Sequence, residues 1–293
     1  MKPTFRDRIK SGDVLVSDGA TGTNLLARGL PRGVAAETWV MEQPDKIMQL
    51  VSDFIEAGAD IVLTCTFGAS PLRLEETELS GSSIEVNRRA VEIARQAIQD
   101  RPVYLGASIG PTGRLLKPYG PLDEEDAFDA YAEQVTALEQ AGVDLLVVET
   151  QFSLEEARAA VRACHAVGNL PVVCSFSFDR GTRTMMGVKP SQMASELAPL
   201  GVDLLGINCG RSLEENLQAL KELRQATDLP IWFKPNAGMP EIDENGQARY
   251  AITPEEMASK VDDWLAAGAQ VVGGCCGTTP EHLRAIARRV HES

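Results

Sequence analysis

Two adjacent cysteines, Cys275 and Cys276, sit in the stretch GGCCGTTPEH at 273–282, and a third, Cys209, lies in GINCG at 206–210. Each stretch follows a short apolar run, so all three thiols fall at the ends of candidate strands. Adjacent residues of a regular strand point to opposite faces. For Cys275 and Cys276 to serve one site the strand must break between glycines, which makes the break cheap. Cys209 would lie two strands from the pair, about 9–10 Å away at the usual strand spacing. Two inward cysteine arms and a sulfur-metal-sulfur bridge with bonds of about 2.3 Å can close that gap. Three thiolates without an obvious fourth cysteine describe a Zn2+ site with one open position, the catalytic pattern, whereas a structural site is closed by four ligands. Such a centre carries one net negative charge, so it is a poor activator of water and suits a soft sulfur ligand. A substrate thiol entering the open position would be deprotonated there, whereas a free thiol with a pKa near ~8.5 is only a few per cent thiolate at neutral pH. Asn236, on the intervening strand, could fill that position when substrate is absent.

The remaining cysteines and histidines read as ordinary structure. Cys164 falls in a helical pattern and Cys174 in an apolar strand, where a small buried thiol packs as a hydrophobe. Cys65, at a strand end, is open between the two roles. The three histidines, His165, His282 and His291, all fall in helical stretches, too few to suggest a histidine-based mechanism. The N-terminal stretch MKPTFR lacks a signal-peptide core and no apolar run reaches the roughly 18 residues of a membrane span. The expectation is a cytoplasmic protein whose six cysteines are kept for metal or catalysis rather than disulfides. A net charge of −14 speaks against unaided binding to nucleic acid or an anionic membrane.

What positions these residues is a regular alternation. Eight apolar runs, at 14–20, 59–67, 103–109, 143–150, 171–178, 202–208, 230–235 and 269–274, read as strands. Helical stretches follow at 45–57, 83–99, 123–141, 153–167, 190–200, 212–227, 254–267 and 280–291. Near-continuous apolar strands alternating with helices imply parallel strands covered on both faces. Eight such units in 293 residues select a single (β/α)8 TIM barrel, an α/β fold occupying 1–293 as one domain. Helix starts are marked at Ser153 with Glu156, Ser212 with Glu215, Thr253-Pro254 with Glu256, and Thr279-Pro280. Gly58, Gly142, Gly201 and Gly268 read as helix ends feeding the next strand. Two connections, 24–44 and 237–253, exceed what a bare barrel needs and leave the strand ends where barrels place their active sites.

Laid side by side, the strand ends gather polar residues at one rim: DGATGT at 18–23, TCTFGA at 64–69, IGPTG at 109–113, ET at 149–150, GINCG at 206–210, KPNAG at 234–238 and GGCCGTTPEH at 273–282. Together these segments resemble the homocysteine S-methyltransferases, the family of the homocysteine module of cobalamin-dependent methionine synthase and of the betaine and S-methylmethionine enzymes. IGPTG and PNAG look closest to the methionine synthase module. The resemblance implies Zn2+ on Cys209, Cys275 and Cys276, Asn236 as resting ligand, and homocysteine sulfur replacing it. It also implies that Glu149 binds the α-amino group, while the Asp18-Gly19-Ala20 turn meets the amino-acid head through backbone amides and the Asp18 carboxylate. Cys65 departs from the family pattern, where a polar, asparagine-like residue is expected.

The expected reaction is methyl transfer to homocysteine to give methionine. The expected donor is a separate methyl-corrinoid protein carrying methylcobalamin; a small donor such as S-methylmethionine or betaine is the alternative, and, because the sequence ends soon after its eighth helix, a third possibility is that it is a piece of a longer protein. Two rival classes remain. Gly273-Gly274 before a helix N-terminus is also where barrels bind phosphate, and a zinc-thiolate redox sensor would account for the thiols alone.

Overall fold

The computed structural model describes residues 2–242 and 248–292. Among the described residues there are ten strands: β1 (Leu15–Val16), β2 (Ile61–Leu63), β3 (Tyr104–Ile109), β4 (Leu145–Gln151), β5 (Val172–Phe176), β6 (Leu204–Cys209), β7 (Ile231–Pro235), β8 (Pro240–Ile242), β9 (Ala248–Tyr250) and β10 (Ala269–Val272). Eight of them form one parallel sheet in the order β1-β10-β7-β6-β5-β4-β3-β2. The two edges meet. Ser17 bridges Ile61 in parallel, Asp18 N–H donates to the Ile61 carbonyl (2.9 Å) and Asp60 N–H to that of Val16 (2.8 Å). The barrel is therefore closed, as the alternation in the sequence implies.

The period of two along each strand separates two apolar layers. One side faces inward: Leu15, Ile61, Tyr104, Leu145, Val173, Leu204, Trp232 and Val271 fill the barrel interior. The alternate residues, among them Val16, Val62, Leu105, Leu146, Val172, Leu205, Phe233 and Val272, pack against the surrounding helices. Moving toward the C-terminal ends, the inward positions turn polar, at Ser108, Glu149, Ser175, Asn208 and Lys234, all buried. A packed core thus gives way, within one layer, to the floor of a site.

The helix signals hold. Ser153 accepts from Glu156 N–H and Ser212 from Glu215 N–H, and Thr253 forms a reciprocal capping box with Glu256. Gly58, Gly142, Gly201 and Gly268 all take positive φ, from 87° to 105°. The helix expected over 254–267 is broken into Pro254–Ala258 and Val261–Ala266, and several strands are shorter than their apolar runs. The 24–44 connection carries the helix Thr38–Glu42, and the 237–253 connection carries an antiparallel hairpin of β8 and β9.

One unexpected element is the helix Phe5–Lys10. Its Phe5 and Ile9 join the interior cluster, with the Phe5 ring edge-on to Tyr104 at 5.6 Å. Arg6 pairs with Asp203, and Gln270 donates to the Ile9 carbonyl. Each contact lies at the start of a strand, so this helix plugs the end of the barrel opposite the polar rim.

Candidate metal centre and substrate pocket

Cys209, Cys275 and Cys276 come together, with their sulfurs all within 4.8 Å of one another. The Cys209 and Cys275 sulfurs are 3.0 Å apart and all three cysteines are free thiols. The three thiols are coupled and divide: hydrogen bonds from Cys209 and then Cys275 pull the Cys276 thiol down, while Cys275, although lowered by its bond to Cys209, is raised on balance by its bond to Cys276 and by burial. Cys209 is pushed up as well, first by its bond to Cys275. Tetrahedral Zn2+ with bonds of about 2.3 Å sets its sulfurs about 3.8 Å apart. Three half-buried thiols at this separation fit that ion.

Backbone geometry aims these thiols. Cys209 ends β6 with φ of 59°, in the left-handed region, and Gly210 follows at 83°. The Asn216 side chain stands 2.0 Å from where a Gly210 Cβ would be and donates to the Cys209 carbonyl (2.5 Å). On the other side, Cys275 N–H donates to the Pro235 carbonyl and Cys276 N–H to Asn236 Oδ1, both at 2.9 Å. Asn236 Nδ2 in turn donates to the Gly210 carbonyl (2.8 Å). Asn236 therefore straps the two cysteine loops together, and its Oδ1 retains a second lone pair.

Asn208 is a second brace that sequence reasoning missed. Its Oδ1 accepts from Thr150 N–H (2.8 Å) and Ser175 Oγ (2.7 Å), while Nδ2 donates to Thr150 Oγ1 (2.7 Å). Nδ2 also lies 3.6 Å from the Cys209 sulfur and 3.8 Å from that of Cys275. Thr150 holds φ of 62°, a conformation a β-branched residue rarely takes and one worth of order 1–3 kcal/mol of strain. Asn208 is what holds it, and with it the adjoining Glu149.

A cavity of about 740 Å3 opens above these groups, lined at its base by the three cysteines, Gly19, Ala20, Ser108, Glu149 and Lys234. Glu149 accepts a hydrogen bond from Ser108 Oγ. Burial, the largest influence, pushes its carboxyl up to about 7, against the pull of Lys234. Lys234 was also missed, and its signal was a cation inside a strand buried on both faces. Its Nζ lies 2.6 Å from Asp18 Oδ1, both side chains 3% exposed. Burial works against the Lys234 charge, but Asp18 and Glu149 outweigh it and hold the ammonium above its usual range.

The turn after β1 is largely spoken for. Asp18 Oδ2 accepts from Leu63 N–H (2.8 Å) and its other oxygen holds Lys234. Ala20 N–H donates to Thr278 Oγ1 (3.1 Å). Gly19 faces the cavity, and a Cβ there would stand 2.8 Å from Phe54. The loop after β10 has no amides left for a phosphate: Gly273, Gly274 and Cys275 N–H donate to carbonyls, Cys276 to Asn236, Gly277 to Thr23 and Thr279 to His282. The glycine amides on which the phosphate-binding alternative relies are thus engaged elsewhere.

The outer wall of the cavity includes Cys65, Glu37, Phe67, Arg73 and Glu76. Cys65 is buried, and desolvation followed by the nearby Glu37 charge pushes its thiol well up. Cys164, raised to about 12 by burial, and Cys174, raised further still, are inert core thiols. His282 is structural: Nδ1 meets the Thr279 cap and Nε2 the Ile252 carbonyl (2.9 Å).

A closed barrel with a three-thiol centre beside a buried carboxylate defines the class, and comparison with known proteins gives the family. Residues 15–290 match the family described as homocysteine S-methyltransferase. The chain belongs to that family. Methionine synthase of Mycobacterium tuberculosis (strain ATCC 25618 / H37Rv) is 32% identical over 299 residues, which cover 96% of this chain and 25% of that protein. Methionine synthase of Mycobacterium leprae (strain TN) is 32% identical over 294 residues, 94% of this chain and 24% of that protein. The chain thus spans about a quarter of the length of these relatives. Among solved structures, the metallated form of the homocysteine methyltransferase MmuM from Escherichia coli superposes with a TM-score of 0.83 at 28% identity, covering 97% of this chain and 99% of that one. The oxidized form of the same enzyme gives 0.80 at 28% identity, covering 96% and 97%.

Proposed function

We propose that this barrel transfers a methyl group to the thiol of homocysteine, giving methionine, with Zn2+ held by Cys209, Cys275 and Cys276. The observation that carries the reading is that the thiol cluster opens into the same cavity as Glu149, a buried carboxylate with no ion-pair partner among the described residues. A carboxylate placed there suits an α-ammonium. When bound, the zinc supplies a substrate sulfur that is deprotonated yet nucleophilic at neutral pH.

The chain's own residues do the rest. Glu149 holds the ammonium and Gly19-Ala20, with Asp18 behind them, shapes the wall against the head group. Asn208 and Asn236 fix the cysteine loops, and the free lone pair of Asn236 Oδ1 makes it the resting occupant of the open position. The sulfur attacks the methyl carbon in line with the bond to the leaving group, which departs with its electron pair, and the thiol proton goes to solvent.

For the donor we favour methylcobalamin carried by a separate corrinoid protein. Most large apolar side chains that are exposed, namely Leu26, Val34, Phe67, Leu115, Tyr119, Met185, Met239 and Ile242, lie in connections leaving the C-terminal ends of strands. That is the barrel end where the cavity opens, and apolar surface concentrated there suits a docking protein. A small donor such as S-methylmethionine or betaine is favoured by one observation: Glu37, buried in the cavity wall, is raised by desolvation, a cost that a sulfonium or quaternary ammonium would relieve. Methionine formation from homocysteine with a methylated corrinoid protein, against formation with S-methylmethionine or betaine, decides between them. Failure with every donor would contradict the proposed reaction. We assign the protein to the cytoplasm on its free thiols; no helix among the described residues is long and apolar enough to cross a membrane.

A further inference from the structure

We propose that Tyr250, on the hairpin strand β9, is a positioning residue of the thiol centre: its hydroxyl donates a hydrogen bond to the Cys276 sulfur and clamps that ligand from outside the cavity. This rests on the three thiols holding zinc, and it gives the long connection after β7 a task.

That connection is built around Cys276. The Cys276 N–H donates to Asn236 Oδ1 (2.9 Å), and the Cys276 carbonyl accepts from Ala237 N–H (2.9 Å). The chain then leaves along β8 and returns along β9, where Tyr250 pairs with Pro240. After β9 it is tied down again: Ile252 N–H donates to the Ala237 carbonyl (3.2 Å), and the Ile252 carbonyl meets His282 Nε2 (2.9 Å). Between these ties Tyr250 is half-buried, and its side chain hydrogen-bonds that of Cys276. Amide, carbonyl and sulfur of one cysteine are thus all met by a single connection.

Gly277 makes room for the ring. It holds φ of 81°, and a Cβ there would stand 2.2 Å from Tyr250 Cγ and 2.4 and 2.6 Å from its two Cδ atoms. The phenol therefore packs directly on the residue that follows Cys276. A phenol keeps its proton at neutral pH, so toward a thiolate it is the donor. Hydrogen bonds to ligand sulfurs draw charge off a metal-thiolate centre, which matters where three thiolates leave zinc with a net negative charge. Asn208 Nδ2 reaches two of the sulfurs, at 3.6 Å from Cys209 and 3.8 Å from Cys275. Tyr250 serves the third. It is not among the residues that line the cavity, so it meets the cluster from outside the substrate pocket.

The test is Tyr250→Phe, which keeps the ring on Gly277 and deletes only the hydroxyl. Zinc affinity is read by competition with a chelating dye, and the thiolate-to-metal charge-transfer band is read in the cobalt(II)-substituted protein. The variant should bind zinc about tenfold more weakly than wild type. Its cobalt band should move to longer wavelength, because a thiolate that loses a hydrogen bond gives up an electron more readily. Unchanged affinity with an unmoved band would overturn the assignment and leave the zinc reading intact. Weaker zinc binding with an unmoved band would overturn it as well, since the hydroxyl would then only brace the hairpin. Tyr250→Leu, which also strips the ring from Gly277, should show the same band shift with a further loss of zinc affinity; a band at the wild-type position in that variant would contradict the hydrogen bond. Wild-type protein that binds neither zinc nor cobalt would remove the zinc reading and this assignment together.

Discussion

Glu149 has to be stripped of water to sit where it does, and the effect on stability has a definite sign. Its carboxyl titrates at about 7 in the folded protein, raised first by burial, against 4.5 for an ordinary glutamate. Between these values the folded state holds a proton that the unfolded chain has lost, so stability falls as pH rises from about 4.5 to 7. The full cost, present above that window, is about 3 kcal/mol. Glu149→Gln should therefore make the metal-free protein more stable than wild type at pH 8, by up to that amount, with no advantage at pH 4. Urea unfolding at the two pH values measures this, and the same variant should bind homocysteine at least about tenfold more weakly. The cysteines divide in the same manner: Cys209→Ala should abolish metal binding in a folded protein, whereas Cys174→Ala, in the core, should cost about 1–2 kcal/mol and leave metal content unchanged. The thiols and Glu149 were legible because glycine-flanked or acidic residues at strand ends stand out. Lys234 and Asn208 were not, since their partners Asp18 and Thr150 lie 216 and 58 residues away.

At the level of elements, the two ends of the barrel are physically separate tasks. The helix Phe5–Lys10 closes the far end, and Phe5→Ala should cost about 3–5 kcal/mol in chemical unfolding while metal affinity stays unchanged. At the near end, Gly210→Ala places a side chain at φ of 83° against Asn216. It should move the Cys209 loop and weaken metal binding at least about tenfold at a cost of only about 1–2 kcal/mol in stability. Competition with a chelating dye checks the first figure. The long helices were readable from period and caps, as at Ser212 and Thr253. A six-residue helix was not, because its formation depends on Phe5 and Ile9 finding the barrel interior. Nor was the hairpin of β8 and β9, whose outward strands β8 and β9 lack the apolar alternation that marks a buried one.

For the molecule as a whole, eight apolar runs at regular spacing were enough to imply a closed barrel, but not how it closes. Two-residue β1 meets β2 through Ser17 and Ile61, and that pairing depends on the Asp60 side chain receiving Val16 N–H (2.9 Å) rather than on any pattern in β1. Closure brings seven separated motifs to one rim and surrounds them with exposed apolar loops. If a protein delivers the methyl group, Met185→Asp, which lies outside the cavity lining, should slow transfer from that partner by about tenfold or more and leave homocysteine affinity unchanged. The central claim is that three thiols hold zinc in order to activate a fourth. The most direct measurement is metal content of the reduced protein followed by homocysteine titration at pH 7 with proton release recorded. One zinc per chain, absent from Cys275→Ala, and about one proton released per homocysteine bound is the predicted result; a zinc-free protein with no homocysteine response would contradict it.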